Sequence, residues 1–119
     1  MKPNIKALPT ALAEAMRYQQ ARPLIIQTGE AALQRLVEIA SSGTGQGRIV
    51  GVFLLGLYNG QDYPFDLTEL RALDLSVFRD CLDVLELDYQ PEMEVHMRVA
   101  DGPAIWNRLV QQWAEGVLP

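Results

Sequence analysis

GRIVGVFLLGLYNG, residues 47–60, decides the fold, because positions 49–58 within it carry no charge and no strongly polar group. A membrane span takes about twenty apolar residues, and ten in a helix rise only about 15 Å. The run is therefore too short to cross a bilayer and predicts a buried helix. Thr44 stands where a hydroxyl can accept a first-turn N–H, and Asn59-Gly60 supplies the left-handed stop that helices favour. A helix over about 45–59 that is apolar on every side belongs in the middle of a bundle, where Gly51 and Gly56 let its neighbours approach.

Working outward, PTALAEAMRYQQA predicts a helix over about 9–21, with Leu12, Ala15 and Met16 at helical spacing. The following PLIIQ, 23–27, reads as a short extended segment. Thr28 then caps a helix to Ala40 whose stripe is Leu33, Leu36, Val37 and Ala40. Downstream of the central run, Asp66 and Glu69 form a capping-box arrangement. Asp74 can cap a helix in which Leu75, Phe78, Leu82 and Leu85 recur at three and four residues, with Asp80, Asp83 and Glu86 on its other side. Residues 94–99 alternate, Val95, Met97 and Val99 against Glu94, His96 and Arg98, which predicts a strand able to pair with 23–27. Asp101 and Pro103 open a closing helix with Trp106, Leu109, Val110 and Trp113 on one face. The expected fold is mainly α: a compact bundle of about five helices around the central one, with room for a two-stranded ribbon of 23–27 and 94–99. Residues 1–8 read as a flexible tail and 9–116 as a single helical domain.

Composition agrees with one folded unit: 119 residues, 49% apolar and 21% charged, lie far from the disordered corner. No secretory signal is legible at the N-terminus, so a cytoplasmic location and no membrane association are expected. Cys81 is the only cysteine and reads as a buried, inert thiol. Charge is uneven, +3 over residues 1–48 and −8 over 49–119. An acidic surface disfavours direct nucleic-acid binding, which depends on lysine and arginine neutralising phosphates.

The chemistry-bearing motifs are few. Gly43, Gly45, Gly47 and Gly51 resemble a phosphate-cradling loop in spacing, but the segment before them is helical and no Lys-Ser or Lys-Thr pair follows. His96 is the single imidazole, and one histidine with one cysteine excludes the common zinc ligand sets. Asp80, Asp83 and Glu86 read as a solvated row, with Arg79 and Asp83 at ion-pair spacing. No catalytic residue, cofactor or metal is expected, and the chain reads as a non-enzyme.

The series Thr44-Gly45-Gln46, Val50, Phe53-Leu54-Leu55, Asn59, Phe65-Asp66-Leu67, Leu70, Asp74 and Val84-Leu85 resembles a family of short uncharacterised bacterial proteins, often encoded on plasmids and integrative elements. The likeness covers roughly residues 31–114 and implies a bacterial, mobile-element setting without an established activity. Three functions remain open. The first is a small protein-interaction or self-associating protein, with Tyr58, Tyr63, Phe65 and Trp106 as interface aromatics. The second is an acidic decoy for a DNA-binding protein, motivated by eleven acids against three bases in residues 62–101. The third is a small-ligand sensor or enzyme using a polar junction of Gln46, Arg48, Asn59 and Asp66.

Overall fold

The computed structural model describes residues 9–114, so the expected tail 1–8 and the last residues of the expected domain lie outside the described part. Its first helix, α1, runs unbroken over Thr10–Ala40, 31 residues with Pro23 inside. The expected break at 23–27 is therefore a correction. A proline removes one backbone donor and crowds the preceding turn, yet tertiary contacts can override that penalty. Here they act beside the proline: Arg22 is buried, its Nη1 donating to the Leu87 carbonyl at 3.1 Å and its Nη2 to the Gln90 carbonyl at 2.9 Å. The Leu87 carbonyl lies in the last turn of the third helix and that of Gln90 just past its end, so the two segments are tied across the would-be hinge.

The second helix, α2, spans Gly45–Tyr58 and begins as its sequence dictates, with the Thr44 hydroxyl accepting the Gly47 N–H at 3.0 Å. It is not the hub. The second half of α1 packs against both α2 and the third helix, α3 (Leu75–Asp88), while α2 also meets the closing segments. The reason lies in α1, where Ala32, Leu33, Leu36, Val37 and Ala40 are all buried and form a face wide enough for two neighbours. On α2, Val52, Gly56 and Leu57 are only half-buried and Tyr58 is exposed. At Gly51 the close approach is real, because a Cβ there would run into the indole of Trp113. The same indole Nε1 donates to the Ala40 carbonyl at 2.8 Å, satisfying an acceptor at the end of α1.

A 3-10 segment, Leu67–Ala72, leads into α3, which buries Val77, Asp80, Cys81, Val84 and Leu87. Asp80 is a correction, since with Asp83 and Glu86 it was expected in a solvated row, whereas it is buried and Leu75, Leu82 and Leu85 are exposed. Asp80 sits against α1, where Arg35 grips its carboxylate with Nε at 3.0 Å and Nη2 at 2.9 Å. That two-pronged pair fixes which way α3 is turned.

The expected strand 94–99 is instead a 3-10 turn, Val95–Arg98, with the Met97 N–H bonded to the Glu94 carbonyl at 3.0 Å. Alternation would have buried Val95, Met97 and Val99 together. The turn buries the two valines and leaves Met97 exposed. With 23–27 helical as well, the described residues contain no β ribbon. The last helix, α4 (Gly102–Leu109), continues into a wider π turn, Val110–Ala114, and packs Trp106 into the core. The described fold is thus four α-helices with short 3-10 and π segments.

Cys81 lies at the α1–α3 interface with no exposed surface, and burial, reinforced by the nearby Asp80 charge, pushes its thiol up to about 12. A free thiol near 9.0 ionises about a thousandfold more at pH 8 than one near 12, so labelling of the folded protein is expected to be slower by about that factor than after unfolding. The linkage has a definite sign. From about pH 9 to 12 the unfolded chain holds fewer protons than the folded one, so Cys81 makes stability fall as pH rises there. Fast labelling of the native protein at pH 8 by a thiol reagent would contradict this burial.

Candidate functional site

The four residues of the expected polar junction do not converge. Gln46, in the first turn of α2, pairs reciprocally with Asp74: its Oε1 accepts the Asp74 N–H at 2.8 Å and its Nε2 donates to Oδ2 at 3.1 Å. Arg48 reaches both carboxylate oxygens of Glu69 through Nη1, at 3.0 and 3.3 Å. These two residues therefore tie the start of α2 to the start of α3 and to the 3-10 segment before it. Asn59 stands at the other end of α2, about 20 Å away along the axis. There it closes the 59–63 turn, donating to Asp62 Oδ2 at 2.9 Å and accepting the Asp62 N–H at 3.1 Å. Asp66 accepts from the Thr68 N–H and hydroxyl at 2.9 and 2.8 Å, and those bonds, the hydroxyl's first, hold its carboxyl below the usual range.

Asp62, Asp66, Glu69, Asp74 and Asp80 of the acidic segment are thus engaged in caps, turns and ion pairs within the fold. Among the described residues no three His, Cys, Asp or Glu side chains gather to hold a metal ion.

Three of the four expected interface aromatics do meet. Tyr58, Tyr63 and Trp106 line a cleft of about 330 Å³ together with His96 and Asn107. The imidazole lies edge-on to Tyr58 at 5.0 Å between ring centres and tilted to Trp106 at 6.1 Å. Trp106 forms the floor, buried with its Nε1 donating to the Leu54 carbonyl at 3.3 Å. Phe65 lies apart from this cleft, edge-on to Phe53 at 5.5 Å on the flank of the core.

A line of exposed apolar side chains lies elsewhere. Along α3, Leu75 is 61% exposed, Leu82 44%, Leu85 39% and Tyr89 71%, with Phe78 half-buried between them. Spacings of three and four residues put all five on one line of the helix, turned away from the buried line of Val77, Cys81 and Val84. The line opens at its N-terminal end into a mainly apolar groove of about 420 Å³, walled by Leu67, Leu70, Leu73, Leu75 and Phe78 with Arg71. At its C-terminal end Tyr89 packs edge-on to Tyr18 of α1, with ring centres 5.6 Å apart.

The period of this stripe was legible in the sequence, but not that it faces outward. The competing line is Val77, Cys81, Val84 and Leu87, and Gly29 of α1 makes room for the last of these. A Cβ on Gly29 would stand 2.7 Å from the Leu87 Cβ, so the missing side chain at Gly29 is what lets Leu87, the one leucine of the buried line, seat against α1.

A family model described as a family of unknown function matches residues 30–114. No curated protein and no solved structure matches the chain.

Proposed function

The chain belongs to the DUF7673 family of unknown function, and from that premise we propose that it is a non-enzymatic protein-interaction module that docks a helical partner along α3. The observation that carries this reading is the exposed line of Leu75, Phe78, Leu82, Leu85 and Tyr89. Soluble domains seldom leave contiguous apolar surface open, and an apolar helical stripe with anchors at three- and four-residue spacing is the form in which one helix receives another. The bacterial and mobile-element setting belongs to the same proposal, supported by the motif residues Thr44 to Leu85 that carry the resemblance.

The test is a photo-crosslinking side chain placed at Leu82 in cells, with one at Gln34, exposed on α1, as the control. A discrete adduct from position 82 and none from 34 is expected. Absence of any adduct at 82 overturns the reading, whatever the identity of the partner.

A second reading, small-ligand sensing, draws support from the aromatic cleft, whose volume of about 330 Å³ suits a small molecule held by rings with His96 and Asn107 as polar handles. Native mass spectrometry of protein purified from its own cells tests it. A retained small molecule lost in Tyr58→Ala supports the cleft as a site, and a bare chain mass counts against it.

A further inference from the structure

We propose that the occupant of the α3 stripe is a second copy of this chain, its α3 lying antiparallel across a two-fold axis near Leu82. The inference rests on the interaction reading above and names the partner. The stripe positions 75, 78, 82, 85 and 89 alternate steps of three and four without a slip, which is the narrow seam of two packed helices, whereas a face seated in a domain core is wider.

Charge selects the partner and its direction. At 100° per residue Arg79 and Glu86 fall on the same rim of the stripe, seven residues apart, and both are exposed. An antiparallel two-fold turns the helix end for end, so Arg79 of one copy comes opposite Glu86 of the partner subunit, and the same pair recurs on the far side of the axis. The surface is therefore complementary to itself, as an isologous interface must be. A parallel pairing would instead set this charged rim against the rim carrying Cys81, which is fully buried in its own domain. The groove at Leu67, Leu70 and Leu73 is continuous with the stripe and extends the apolar area that the second copy covers.

The experiment is sedimentation equilibrium of the full chain and of charge variants. A dimer is expected for the natural sequence. Leu82→Glu is expected to leave a monomer that still unfolds cooperatively, since the side chain it replaces lies outside the core. Arg79→Glu and Glu86→Arg are each expected to weaken the dimer about tenfold or more, because each turns two attractive pairs into two repulsive ones. The double swap in one chain, and an equimolar mixture of the two single variants, are both expected to restore it. Only the antiparallel arrangement predicts rescue by mixing.

A natural-sequence monomer at millimolar concentration overturns the second copy as occupant, while the crosslinking result at Leu82 still decides the interaction reading separately. A dimer that survives Leu82→Glu overturns the placement on α3. Loss of the dimer in Leu82→Glu without rescue by the charge mixture overturns the antiparallel geometry.

Discussion

Replacing Trp106 by alanine is expected to lower the free energy of unfolding by about 3–5 kcal/mol, a large part of the roughly 5–15 kcal/mol that holds a single domain folded. The indole is 3% exposed and belongs to the main apolar cluster. Its loss empties space between α4 and α2 that backbone on both sides cannot close. It also strands the Leu54 carbonyl, which accepts the indole N–H at 3.3 Å. Trp106→Phe separates the two contributions, since it keeps most of the ring and removes the donor, and about 1 kcal/mol is expected for the hydrogen bond alone. Urea denaturation followed by far-UV circular dichroism measures both. A loss under about 1 kcal/mol for the alanine variant would mean that α4 is not seated as described.

Gly102→Ala is the second large effect, and its cause is different in kind. A Cβ at this position would be driven into the carbonyl of His96, so the collision is with backbone and no rotamer can relieve it. The chain has no slack on the N-terminal side either. Asp101 already holds φ 58 and ψ 28, the left-handed region, and the Gly102 N–H is bonded to the Val99 carbonyl at 2.9 Å. Something must move, and the 3-10 turn Val95–Arg98 is what stands in the way. Overpacking of this sort costs typically about 1–3 kcal/mol, and the backbone clash places this site at or above the upper end. Gly43→Ala, where a Cβ meets open space, is the control and is expected to change stability by less than about 0.5 kcal/mol. Thermal unfolding of the two variants side by side gives the comparison. Equal midpoints would remove the case for a tight contact at Gly102.

How much of this was legible in the sequence varies with the range of the interaction that decides it. The start of α2 was legible because Thr44 and Gly47 are three residues apart and settle the matter between themselves. The α3 periodicity was legible too, but not its rotation. Two lines of apolar residues run along that helix, and the choice between them is made by Arg35 and Gly29, about 45 and 58 residues away from Asp80 and Leu87 in sequence. Local reading favours the longer run of leucines; packing buries the line that brings Asp80 to Arg35 and Leu87 to Gly29. The break expected at Pro23 failed for a similar reason, because Arg22 finds its acceptors at Leu87 and Gln90. Residues 94–99 offered too few positions to separate a period of two from a single tight turn. Of the expected site residues, Tyr58, Tyr63 and Trp106 were recognisable by type, yet the fold alone brings His96 between two of them.

The unbroken α1 carries one more consequence. The family domain takes up the chain at residue 30, whereas the helix begins at Thr10 and passes that boundary without a joint. At 1.5 Å per residue it is a shaft of about 46 Å. Its first turns and its last share one backbone, and between Leu12 and Ala40 that backbone is moored to the α3 side by Arg22 and Arg35. The segment upstream of the family domain is thus a rigid extension of a core helix, and its position is set by the same contacts that set the core.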